Sequence, residues 1–297
     1  MSDTSVSAGT APSRTVPVVV KPVRWGQIAL GAVAVGVLAL IAILVGQSQN
    51  VQWSQVPVYL VDPSILSGIV LTLELTAAAM AVGIVLGAVL AAMAISQNTV
   101  LKAIASAFVW AFRGVPLIVQ IFFWFNIALF VPNLTIGTLT VSINDIVTPP
   151  LAGLLALGLH EAANMAEVIR SGLLSVDAGQ HDATRALGLT RGSALRSIIL
   201  PQAIRVIIPP TGNQAIGMLK ASAIVSVIGM EELLTQAQHI YARNFLVIEL
   251  LLVASIWYLV LTSIATVGQH YLERYFARGF ARRTTRRKPP IAGGIAS

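Results

Sequence analysis

The chain has 297 residues, 56% of them hydrophobic and only 10% charged, with a mean hydropathy of +0.81. A soluble domain carries about a quarter charged residues, so much of this surface faces something other than water. The composition contains no cysteine, which excludes disulfides, thiolate metal sites and a lipidated cysteine anchor. Net charge is +7, but the basic residues gather at the two ends and in one loop, a pattern of membrane orientation before nucleic-acid binding.

The first 27 residues are polar and contain Pro12, Pro17 and Pro22. Together with the basic segment 277–297 they are expected to form disordered cytoplasmic tails. The first apolar run, 28–46, ends at Gly46-Gln47-Ser48-Gln49 without a small-x-small cleavage site, so it reads as a retained extra span followed by an extracytoplasmic loop to residue 63. Further runs fall at 66–95, about 115–131, about 150–170, within 206–229 and within 246–270. Crossing a hydrocarbon core takes about 20 helical residues, and a multi-span chain satisfies its backbone internally only as helices or a closed barrel. Residues 101–113 can form a separate amphipathic helix on the membrane surface, which leaves the start of the third span open.

Lys and Arg set the orientation. Arg14, Lys21 and Arg24 precede the first span, Lys102 and Arg113 lie between the second and third, and Arg170, Arg185, Arg191, Arg196 and Arg205 surround the loop between the fourth and fifth. The C-terminal segment adds seven more from Arg274 to Lys288, while 47–63 and 132–149 have none. With six spans every basic segment falls on one side, the cytoplasmic one, and both termini with it; Lys220 and Arg243 stand outside the pattern.

The loop 175–201 reads as two short helices. Asp177 followed by Gln180 fits an N-cap with its reciprocal partner, and Ala183, Ala186 and Leu187 offer a small apolar face. Gly188 is placed to end the first helix in a left-handed conformation. Thr190 can cap the second, whose Ala194, Leu195, Ile198 and Ile199 share a face, and Pro201 is expected to stop it.

The run Asp182-Ala183-Thr184, then Gly188, Ile198, Leu200 and Pro201, resembles the EAA loop of ATP-binding-cassette importer permeases, with aspartate for the leading glutamate and threonine for the second alanine. The resemblance extends from about Ile69 to Phe276. Phe112-Arg113-Gly114-Val115-Pro116-Leu117-Ile118-Val119-Gln120 is similar to a segment of the polar amino acid branch, as are Pro201-Gln202-Ala203, Pro209-Pro210-Thr211-Gly212-Asn213-Gln214, Leu219-Lys220-Ala221-Ser222, Val225-Ser226-Val227-Ile228-Gly229 and Glu232-Leu233-Leu234. Where many relatives carry an acid after the lysine, this chain has Ala221. The resemblance implies an all-α integral membrane protein of about six transmembrane helices with the type I importer permease fold, its permease domain at 64–276. It also implies a second permease subunit, identical or sister, a cytoplasmic ATPase dimer docked on 175–201, and an extracytoplasmic amino-acid-binding protein. The expected place is the inner membrane. No phosphate-binding loop occurs in the chain, so no cofactor is expected on this subunit and ATP belongs to the partner.

Ionisable groups inside spans cost about 2.5–3.5 kcal/mol each and usually face a cavity or a partner. Glu74, Glu161, Glu167 and Lys220 are such groups. His160, Asn164 and Glu167 form a stripe at i, i+4, i+7, with Glu161 beside it. An amino acid needs acceptors for its ammonium and donors for its carboxylate, which makes Glu161, Asn164, Glu167, Asn213, Gln214 and Lys220 the candidate substrate path; glue between helices is the competing role. His160-Glu161 opens like a zinc-protease motif, but Asn164 stands where the second histidine is needed, so neither a metal site nor a catalytic residue is expected. Gly83, Gly87, Gly153, Gly158, Gly212 and Gly217 suit close helix approach, Pro209-Pro210 should kink or break the fifth span, and the basic tail suits anionic lipid.

Overall fold

A computed structural model describes residues 25–136 and 139–277. Most of the two expected tails, 1–27 and 277–297, lies outside the described residues. The chain divides into two units, Met1–Val51 and Gln52–Ser297.

In the first unit, helix α1 (Trp25–Gly46) has no ionisable side chain. Its residues Ala29–Gly46 are apolar enough to cross a membrane, and Leu30, Leu38 and Leu44 are exposed on it. Apolarity on all sides is the signature of a helix solvated by lipid.

The second unit opens with a short helix, α2 (Gln55–Leu60), and the long α3 (Pro63–Ala94), begun by Asp62 capping the Ser64 amide and by proline in the first turn. Helix α4 (Thr99–Gly114), capped by Asn98, leads to α5 (Leu117–Phe125). A hairpin of β1 (Asn133–Ile136) and β2 (Leu139–Ser142), paired Asn133 to Ser142 through Ile136 to Leu139, then runs into one turn of helix, α6 (Ile143–Ile146). Helix α7 (Pro149–Leu174) is followed by α8 (Ala178–Ala186), α9 (Arg191–Ala194) and α10 (Leu200–Ala221). A 3₁₀ segment, Ser222–Ile228, precedes α11 (Leu233–Asn244) and α12 (Val247–Ala277).

The core is built on small residues. A Cβ on Gly83 would sit 2.6 Å from Glu161 Cγ, one on Gly87 2.7 Å from Met165 Cβ, and one on Gly158 2.9 Å from Val82 Cγ1. Helices α3 and α7 therefore approach at backbone distance, the arrangement that replaces hydrophobic driving force inside lipid. Gly153 and Gly212 likewise admit Val225 and Gln269, whereas a Cβ on Gly217 would meet nothing within 4 Å. One buried cluster joins Leu75, Ala79 and Met80 to Ile121, Leu157, Met218 and Val225. A second joins Ile65 and Ile69 to Leu233, Ala237, Leu250 and Val253.

Polar bonds complete that second cluster. Glu232, fully buried, caps α11 by accepting from the Thr235 amide at 2.9 Å, and it accepts from Tyr258 Oη at 2.6 Å. Buried Glu249 accepts from the Gln52 amide at 2.6 Å, and Trp257 donates to the Leu60 carbonyl at 3.0 Å, which fixes α2 against α12.

Three sequence expectations are corrected. The third span, expected over about 115–131, is shorter: α5 has nine residues, about 14 Å, and it meets α4, in the place of the separate helix anticipated at 101–113, at a 102° bend. Gly114 and Pro116 flank the break, and Val115 between them is extended, as a residue before proline prefers. Pro201 does not stop the second loop helix. A wide π turn, Leu195–Ile199, carries α9 directly into α10, with the Leu200 amide bonded to the Leu195 carbonyl. Widening the turn just before a proline relieves the ring's clash with the preceding carbonyl. Of the kink or break expected at Pro209-Pro210, the break does not occur, since α10 runs on through both; their fixed φ is compatible with a helix, and the cost is two lost amide donors and the rings' crowding of the preceding turn.

Candidate functional site

The loop 175–201 is built by its caps. Asp177 Oδ1 accepts from the Gly179 amide at 2.8 Å, and Thr190 Oγ1 from the Ser193 amide at 3.3 Å. Between them Gly188 adopts φ +67°. The Leu189 amide reaches the Thr184 carbonyl at 3.1 Å and the Gly188 amide that of Arg185 at 3.0 Å, the paired bonds of a Schellman stop. Leu173 and Val176 at the end of α7 pack with Ile199 and Ala203, which anchors the loop to both spans.

The small apolar face of the first helix points outward. Ala183 and Ala186 are exposed and Leu187 is 72% exposed, while Thr184 is buried. Asp182 is also exposed, 3.5 Å from Arg185. Ile198 is half-buried in the π turn, with Leu200 and Pro201 exposed beyond it. Five of the seven motif residues are thus exposed on one hairpin, with Thr184 buried and Ile198 half-buried beneath them.

The polar stripe of α7 has different neighbours along its length. His160 Nδ1 lies 3.0 Å from the Phe112 carbonyl, which fixes that nitrogen as the donor. Gln120 Nε2 donates to the carbonyls of Phe112 at 2.8 Å and Val115 at 2.9 Å. These two side chains satisfy the carbonyls freed where α4 breaks, as non-helical backbone at membrane depth requires. Gln120 is buried and its Oε1 has no partner among the described residues. A cleft of about 240 Å³ opens at this break, lined by Phe112, Val115, Val119, Gln120, Phe123 and Trp124. Gln120 was absent from the sequence-derived path; its signal was its place after Gly114-Val115-Pro116.

Glu161 faces α3. It is buried, its Cγ packs on Gly83, and its Oε1 has no hydrogen-bond partner among the described residues. Glu167 lies near the C-terminal end of α7, paired with Arg170 at 2.9 Å, beside a cleft of about 260 Å³ that Ser106 and Ala166 also line. On α10, Asn213 and Lys220 are exposed and Gln214 is half-buried, and none of the three has a polar partner among the described residues. The six path residues therefore do not converge on one point.

Residues 83–278 match the family of binding-protein-dependent transport system inner membrane components. The chain belongs to that family. The match takes in α7, the exposed hairpin and α10 together. The arginine transport system permease protein ArgU of Corynebacterium glutamicum is 38% identical over 97% of this chain and 92% of its own length. The probable amino-acid permease protein YxeN of Bacillus subtilis is 33% identical over 73% of this chain and 93% of its own. The solved structure of an amino acid ABC transporter with histidines superposes with a TM-score of 0.64 at 36% identity, over 72% of this chain and 94% of that one. The fold is that of a type I importer permease, and the chain is a transport subunit of the membrane.

Proposed function

We propose that this permease imports polar amino acids, driven by two copies of a cytoplasmic ATPase docked on 175–201 and fed by an extracytoplasmic binding protein. Identity to an arginine permease along 97% of the chain carries the substrate class. The outward-facing hairpin of Ala183, Ala186 and Leu187 supports the docking role, because small apolar residues presented on capped helices suit a groove in a partner. Its fusion to α10 through the π turn gives the partner's movement a rigid route into the membrane. The distribution of Lys and Arg supports an inner-membrane subunit with both termini cytoplasmic.

The substrate path runs along the exposed face of α10 at Asn213 and Gln214 and past the broken third span, where Gln120 offers a free acceptor. Asn164 and Glu167 border its cytoplasmic side. The burial of Glu161 against Gly83 supports a packing role for that carboxyl group.

The test is reconstitution with the cognate ATPase and binding protein, assayed against a panel of amino acids. Stimulation of ATP turnover and uptake by a basic or other polar amino acid is expected. Uptake driven by an ion gradient with no co-purifying ATPase would overturn the reading.

A further inference from the structure

Two ionisable side chains of the transmembrane region, Glu74 and Lys220, are exposed and have no polar partner among the described residues. Glu74 lies eleven residues after Pro63, about 16 Å along α3. The buried positions Ile65, Thr72, Ala79 and Gly83 define the core side of that helix, and at 100° per residue Glu74 points directly away from it. Its neighbours on the outer side are apolar, with Val70 55% and Val85 67% exposed. Lys220 ends the corresponding free face of α10, in line with Val206, Pro210, Asn213 and Gly217, all exposed. The two groups share a depth. Met218 and Ala221, which bracket Lys220, pack in the same cluster as Leu75 and Ala79, which lie just beyond Glu74.

We propose that Glu74 of one subunit pairs with Lys220 of a second copy of this chain, twice per dimer about a two-fold axis. This rests on the importer reading above and deepens it by naming the subunit contact. Lipid is a poor cover for either group, because an unpaired ionisable side chain at this depth is costly. Helix α1 has no ionisable side chain to offer. An aqueous path does not suit Glu74 either, whose outer face is otherwise Val70, Leu73, Ala77, Ala81 and Val85. A packed protein face bearing the opposite charge suits both groups. In an isologous interface each residue meets its complement on the mate, and the open surface at Gly217 lets a second helix come close beside Lys220. Ala221 supplies no acid inside the chain to neutralise the lysine.

The chain contains no cysteine, so Glu74→Cys and Lys220→Cys can be made singly, in two differently tagged copies co-expressed with the ATPase. A short thiol-to-thiol linker should join the two copies into a dimer carrying both tags, while either variant alone gives little dimer. In parallel, Glu74→Lys and Lys220→Glu should each lower dimer recovery about tenfold, since like charges then face each other, and Glu74→Lys/Lys220→Glu should restore it. No link at all, no more dimer from the mixed copies than from either variant alone, or a double variant no better than the singles would each overturn the pairing. If ATPase still co-purifies in those cases, only the pairing fails and the importer reading stands.

Discussion

Substituting Gly87 by alanine tests the central packing of the permease. The added Cβ would lie 2.7 Å from Met165 Cβ and 3.0 Å from both the Ala162 carbonyl oxygen and the Ala166 amide nitrogen. Carbon atoms rest at about 3.5–4.0 Å, so α3 and α7 must separate by about 1 Å. Two of the three contacts are backbone and Met165 is buried, so no flexible side chain can give way. Overpacking of this kind costs about 1–3 kcal/mol, against about 1 kcal/mol gained from alanine's helix propensity. The expected net effect is a loss of up to about 2 kcal/mol. Gly268→Ala, within α12, has only the favourable term, because nothing lies within 4 Å of its Cβ. Detergent-exchange unfolding of the two purified variants should move in opposite directions. A Gly87→Ala protein as stable as the parent would refute the claim that the helices touch at backbone distance.

Gly188→Val should uncouple without unfolding: φ +67° is poorly tolerated by a β-branched residue, so ATPase co-purification should fall while membrane insertion stays normal. Glu161→Gln keeps shape and removes charge; if this carboxyl group only packs against Gly83, amino-acid dependence of ATP turnover will be unchanged, and a drop in affinity of about tenfold or more would return it to the substrate path. Glu232→Ala leaves the Thr235 amide and Tyr258 hydroxyl without an acceptor and should cost about 2–4 kcal/mol on the same unfolding assay. Reporters inserted at 180–196 should read cytoplasmic and those at 47–55 extracytoplasmic, and the reverse at either place would break the topology.

What the sequence discloses and what it conceals divide along physical lines. Caps are local, so Asp177, Gly188 and Thr190 are legible from neighbours a few residues away, and the structure places each as expected. Hydrophobic length is also local, and α3 and α12 fall where the apolar runs lie. The break at Val115 carries a readable signal in Gly114 and Pro116, yet the apolar run continues through it and masks it. Pro201 misleads because the usual rule assumes a regular α-turn before the ring, and the π turn removes that assumption. The i, i+4, i+7 spacing of His160, Asn164 and Glu167 gives their common azimuth but not what each meets. That depends on the break in α4 and on Arg170, at opposite ends of the stripe. Glu232 escapes the sequence for a similar reason, since its partner Tyr258 is 26 residues away.

The π turn at Leu195–Ile199 makes the hairpin and α10 a single mechanical member, with the wide turn as the one place where it departs from a regular helix. Helix α10 has 22 residues, an arm of about 33 Å. Tilting that arm by about 5° at the wide turn would sweep its far end, where Lys220 sits, through about 3 Å. Spin labels at Arg191 and Ile216 would register the change in distance between nucleotide-free and nucleotide-bound complexes, and a constant distance would mean the turn is locked. A small stroke delivered to the hairpin by a docked partner would be geared up along α10, and the gear ratio would be set by where the wide turn falls in the sequence.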